Sequence, residues 1–122
     1  DGYVTDMDFN QPLDNWDVSN VTNMAMMFRR AVNFNQPLNT WNVALVTDMS
    51  YMFDRATRFN QPLNNWDTTS VLNMEYMFSS ASAFNQNIDG QIVPTKLFER
   101  TPLEGKNIEG KYLKGSFTDP HK

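Results

Sequence analysis

Apolar residues recur along this chain with two alternating rhythms. In the segment Val46-Thr47-Asp48-Met49-Ser50-Tyr51-Met52-Phe53-Asp54-Arg55-Ala56 they stand at 46, 49, 52, 53 and 56. That is the i, i+3, i+4, i+7 spacing of one helix face, and it predicts a short helix. Thr47, or Thr22 in the equivalent place, is a fitting N-cap, and Asp48 is favourable in a first turn. Where Leu72 replaces the threonine, Ser70 takes over as the expected cap. Ahead of each such segment lies a stretch rich in Asn and Gln whose apolar residues are Phe59, Leu63 and Trp66, with Pro62 opposing a helix. It predicts a short strand over about 61–66.

The two rhythms repeat as one block. Phe-Asn-Gln occurs at Phe9, Phe34, Phe59 and Phe84, always 25 residues apart. Three full units follow, 9–33, 34–58 and 59–83, and a partial one runs over 84–90. Eleven of the 25 columns are identical in all three: Phe-Asn-Gln-Pro-Leu (Phe9 to Leu13), Trp16, Val21, Met24, Met27, Phe28, Ala31 and their copies. Residues 1–8 form an atypical N-terminal edge, in which Val4-Thr5-Asp6-Met7 echoes Val46-Thr47-Asp48-Met49. One strand and one helix in so few residues cannot bury an apolar face alone, whereas stacked units can. The fold class expected is therefore an α/β repeat solenoid, with one short parallel strand and one short helix per unit.

Stacking places like on like. The expected core ladders are Phe9, Phe34, Phe59 and Phe84; Trp16, Trp41 and Trp66; Met24, Met49 and Met74; and Phe28, Phe53 and Phe78. Asn10, Asn35, Asn60 and Asn85 are expected to form an asparagine ladder whose side chains satisfy backbone groups between units.

At these residues the chain resembles the short repeats of BspA-like, leucine-rich-repeat-related surface proteins, over about residues 4–90. The resemblance implies a right-handed leucine-rich-repeat-like coil, an extracellular or cell-surface location and an adhesive or structural role. It brings no catalytic residues with it. The remainder, 91–122, departs from the pattern. Thr101–Gly105, Lys106–Gly110 and Lys111–Gly115 share a period of five with Leu103, Ile108 and Leu113 central. This is weakly similar to pentapeptide repeats; the plainer reading is a few short strands or turns that cap the stack, with glycine permitting the turns.

Composition narrows the chemistry. The chain carries no cysteine and a single histidine, His121, which removes thiolate catalysis and leaves no multi-histidine metal site. Residues 1–90 hold four arginines against ten acids and no lysine, net −6, while 91–122 are net +2. An acidic body argues against nucleic acid. No run of apolar residues is long enough to span a membrane. No segment spaces oxygen ligands as a calcium loop does, and Asp14, Asp17 and Asp67 read as turn residues. The fixed spacing and apolar neighbours of the tryptophans place them in the core in preference to a carbohydrate platform. Arg29, Arg30, Arg55 and Arg58 are expected to sit near helix C-termini or to pair with acids. Asn20-Val21-Thr22 is an N-x-[ST] sequon, so Asn20 is a glycan acceptor if the protein is secreted by a eukaryote.

The functional expectation is a non-enzymatic surface module, without cofactor or metal, that presents a stiff Asn/Gln/Asp-rich face to a protein, cell-surface or matrix partner. The alternatives are a self-assembling subunit that forms end-to-end filaments through the ends of the stack, and a fragment of a longer repeat scaffold.

Overall fold

The computed structural model describes residues 6–86. The tail 91–122, with its pentapeptide-like period, and the last residues of the partial unit lie outside the described residues, as do residues 1–5.

The three units lie one upon the next, column over column. Phe9, Phe34, Phe59 and Phe84 stack at centroid separations of 5.7, 5.9 and 6.0 Å with nearly parallel rings. Phe28, Phe53 and Phe78 stack beside them at 5.5 and 5.4 Å. The two columns face each other, since Phe28 lies 4.3 Å from Phe34, Phe53 4.2 Å from Phe59 and Phe78 4.0 Å from Phe84. A double column of phenylalanine therefore forms the axis of the core. Trp41 and Trp66 tilt against Phe28 and Phe53. Leu13, Leu38 and Leu63, the methionines Met24, Met49 and Met74, and Ala31, Ala56 and Ala81 are buried around them. Burying each interior phenylalanine contributes roughly 1.5–3 kcal/mol.

The secondary structure corrects the expectation. Among the described residues there is no helix, and the only β-pairing is three isolated parallel bridges, Met7–Ala31, Asn23–Asp48 and Asp48–Asn73. The chain is not an α/β solenoid with a leucine-rich-repeat-like strand and helix per unit. The segment expected as a strand contains a turn, closed by Trp66 N–H donating to the Leu63 carbonyl at 3.1 Å. The segment expected as a helix is a run of turns. Met52 N–H donates to Met49 O, Asp54 N–H to Tyr51 O and Ala56 N–H to Phe53 O, each three residues back.

The alternate amides explain why no helix forms. Met49, Tyr51, Phe53 and Arg55 donate to the carbonyls of Asn73, Glu75, Met77 and Ser79 in the next unit, at 2.8–3.0 Å. Met24, Met26, Phe28 and Arg30 donate in the same way to Asp48, Ser50, Met52 and Asp54. A helix would turn every amide inward along its own axis. Here half of them are committed to the neighbouring unit, and the other half close local turns. Aligning the peptide groups in this way puts Met26, Arg30, Tyr51, Arg55, Tyr76 and Ser80 at φ of 56–63°, the left-handed region. For residues with a Cβ that costs about 1–2 kcal/mol each, and the hydrogen bonds between units offset it.

The caps shift accordingly. The turn run opens on Asn23, Asp48 and Asn73, whose side-chain oxygens accept the backbone N–H of Ala25, Ser50 and Glu75. Thr47, expected as an N-cap, instead donates both its N–H and its hydroxyl to the Thr22 carbonyl. The upstream echo is not a structural one either: Met7 donates to Arg30 O and bridges Ala31, so it lies beside the end of the first turn run and not its start.

Candidate interaction face

Two faces of the stack carry its polar residues. On the first, Asn10, Asn35 and Asn60 of the Phe-Asn-Gln triplets each bind the next unit. Asn10 Oδ1 accepts from Asn35 N–H and Gln36 Nε2, both at 3.0 Å. Asn35 Oδ1 accepts from Asn60 N–H at 2.9 Å and Gln61 Nε2 at 3.0 Å, and Asn60 Oδ1 from Asn85 N–H at 2.9 Å and Gln86 Nε2 at 2.8 Å. These asparagines are exposed and the glutamines half-buried, and their Asn Oδ1 and Gln Nε2 atoms join units.

The neighbouring corner is built from short caps. Asp17 Oδ1 accepts from Ser19 N–H at 3.0 Å and its hydroxyl at 2.6 Å, and Asp67 does the same with Thr69 at 3.1 and 2.7 Å. The hydroxyl bond first, then the backbone bond, hold both carboxyls below the usual 3.8, so both are ionised at neutral pH. In unit two Asn42 takes this place and caps Ala44.

The turn run forms the second face, and there the units differ from one another. Met26, Tyr51 and Tyr76 share one column. Tyr51 and Tyr76 stack at 5.3 Å, and Met26 is exposed. Arg29 lies across the same strip, its guanidinium carbon 5.5 Å from the centre of the Tyr51 ring and its Nε 3.0 Å from Asp54 Oδ2. Asp54 is buried, and Arg55 Nε stands 3.9 Å from the same oxygen. Arg30 Nε sits 3.3 Å from Asp6 Oδ1. The expected pairing of arginines with acids therefore occurs for these three, without helix ends to assist it; Arg58 is exposed. The strip is a half-exposed aromatic column edged by guanidinium groups, held on a backbone whose hydrogen bonds do not depend on which side chains it carries.

The remaining anticipated positions fall as follows. Phe34, Phe59, Phe84, Trp41, Trp66, Met24, Met49, Met74, Phe28, Phe53 and Phe78 are buried, and Phe9 is half-buried. Trp16 differs, at 55% exposed. Trp41 and Trp66 direct Nε1 back to the carbonyls of Leu13 and Leu38, at 2.9 Å in both cases; Trp16 has no preceding unit to receive it among the described residues. Asn20 is exposed. The tyrosine column was not singled out from sequence, because its first member is methionine. The signal was there in the two tyrosines at equal places in successive units.

Among the described residues no group of three or more His, Cys, Asp or Glu side chains is placed to hold a metal ion, and no helix is long and apolar enough to cross a membrane. No curated protein and no solved structure matches the chain. The family model described as "Mycoplasma protein of unknown function, DUF285" matches residues 3–94, and the chain belongs to that family.

Proposed function

We propose that the protein is a non-enzymatic surface module that binds a protein or matrix partner through its turn face. The observation that supports this reading is the division of labour between columns. Apart from the exposed prolines Pro12, Pro37 and Pro62 and the exposed Trp16, the columns identical in all units are largely buried or join units, while the strip of Met26, Tyr51 and Tyr76, with Arg29, Arg30 and Arg55, differs from unit to unit. Tyrosine, methionine and arginine are the side chains enriched at protein interfaces, and tyrosine loses little entropy when it binds. The resemblance of the repeats to those of BspA-like surface proteins points the same way and favours a location outside the cell.

The test has two arms. Surface labelling of intact producing cells locates the protein, and binding of purified chain to cells and matrix is compared with a Tyr51→Ser/Tyr76→Ser variant. The reading expects labelled protein and binding reduced about tenfold or more at unchanged thermal midpoint, the loss typical of removing two aromatic anchors. Protein found wholly inside the cell, or binding indifferent to the two tyrosines, overturns it.

A further inference from the structure

The tyrosine column offers its edges outward and not its faces. Tyr51 lies in the stack between Arg29 of unit one and Tyr76 of unit three. The guanidinium carbon of Arg29 stands 5.5 Å from the centre of the Tyr51 ring, and the centre of the Tyr76 ring 5.3 Å from it, so both negative faces of the π-system are in use. Tyr51 is half-buried, and what it has left for a partner is its ring edge, the positive part of the quadrupole, and its hydroxyl. A cation arriving from a partner finds the ring face it would stack on already taken.

The charges beside the column are unequal in number. Asp54, with its side chain 6% exposed, is held by Arg29 Nε at 3.0 Å. Arg55 Nε is 3.9 Å from the same oxygen, beyond hydrogen-bond reach, and its side chain is 49% exposed. One carboxylate therefore serves two cations, and Arg55 is the surplus one. Its surroundings are of opposite sign, since residues 6–86 hold eight acids and four arginines, net −4. Both neighbours of unit two are among the described residues, so Tyr51 and Arg55 are exposed with the layers on either side of them in place.

We propose that the turn face takes an acidic segment of a partner protein, with one carboxylate seated on Arg55 and an apolar side chain laid against the edges of Tyr51 and Tyr76. This rests on the reading that the turn face is the binding face, and it adds the chemistry of what binds there. A carboxylate accepts two parallel N–H bonds from a guanidinium, which are charge-assisted and fix its orientation. Tyrosine hydroxyls donate to the same kind of oxygen. A single surplus cation matches a single negative charge. A phosphate carries nearly two, and the second would lie unmatched against an acidic body. That body also repels an acidic segment elsewhere, so Arg55 sets its register as well as its affinity.

The experiment titrates the whole chain with a short capped peptide of alternating glutamate and serine around one phenylalanine, and with its glutamine counterpart, while the Arg55 Nε–H and the tyrosine ring resonances are followed. The glutamate peptide is expected to move Arg55 and both rings, and to bind about tenfold more tightly than the glutamine peptide, less so as salt rises. Arg55→Gln is expected to abolish that preference. Asp54 keeps Arg29 in this variant, so the fold is retained. Arg58→Gln makes the same change of net charge in the column of Asp8 and Asn33, and is expected to leave the preference intact. Equal binding of the two peptides, an unmoved Arg55, a preference that survives Arg55→Gln, or one lost equally in Arg58→Gln overturns the proposal. So does tighter binding of a phosphoserine peptide, or an Arg55 resonance that shifts with protein concentration alone, which assigns the surface to a second copy. A partner whose binding needs the two tyrosines and is indifferent to Arg55→Gln sinks this inference and leaves the proposed function standing.

Discussion

At the scale of single residues, the cost of this structure is concentrated at the left-handed positions. Met26, Arg30, Tyr51, Arg55, Tyr76 and Ser80 are all non-glycine, and glycine would meet the same geometry without a Cβ clash. In the tyrosine column the side chain gives a reason to bear the strain. Ser80 offers none, for its hydroxyl makes no hydrogen bond among the described residues. Ser80→Gly is therefore expected to raise stability by about 0.5–1 kcal/mol. Ser79→Gly, at a neighbouring residue outside the left-handed set, is expected to lower it by a similar amount. Urea midpoints of the two variants, measured side by side, check the sign of each. Trp16 carries the complementary lesson. Its type is the same as Trp41 and Trp66, yet it is exposed, because burial of this column depends on the unit before it.

At the scale of the element, the repeat was legible in the sequence and its backbone was not. The 25-residue period reports which side chains meet, since identical residues stack on one another at Phe34, Phe59 and Phe84. The inward set of each unit follows from it. The spacing of Val46, Met49, Met52, Phe53 and Ala56 also reports burial correctly, because all five are buried. A helix produces that spacing, but so do consecutive turns three residues apart. What separates the two is where alternate N–H groups point, and side-chain polarity does not encode that. Pro62 and the flanking Asn residues argued against a helix without distinguishing a strand from a turn. The same limit hid part of the core: Val18 and Val43 are buried with Thr68 in one column, and the threonine masks it. The asparagine column gives the element its test. Asn35 Oδ1 accepts two hydrogen bonds from the next unit. Asn35→Ala is expected to cost about 1–3 kcal/mol, because the Asn60 N–H loses its acceptor and the Gln61 amide is left with the Asn35 backbone carbonyl alone. Asn35→Asp keeps an acceptor oxygen there and is expected to stay within about 1 kcal/mol of the parent at neutral pH. Thermal midpoints of the pair, with circular dichroism to confirm an unchanged backbone, decide it.

At the scale of the whole stack, the contacts among the described residues run between neighbouring units and not from one end to the other, so its stability is close to a sum over units and their interfaces. Removing residues 34–58 joins Asn33 to Phe59 and recreates the native Asn33-Phe34 junction with every column in register. That variant is expected to fold, at a loss of roughly 1–4 kcal/mol, the usual per-residue stability summed over one unit. Removing one residue fewer or more shifts every column beyond the cut and is expected to leave no cooperative transition. Urea denaturation of the three chains compares them. The acidic body belongs to this picture too: among the described residues Asp17, Asp48 and Asp67 cap turns, and Asp54 is buried and paired with Arg29.

The division of amides between two partners also sorts them by the motion that would release them. Met49, Tyr51, Phe53 and Arg55 surrender their protons to solvent only when unit two parts from unit three, while Met52, Asp54 and Ala56 do so when a single turn opens. Along one stretch of chain, odd-numbered amides thus report on the separation of layers, and the neighbouring even-numbered ones on local breathing. Hydrogen exchange in this protein would alternate residue by residue, with two opening free energies interleaved in a single sequence.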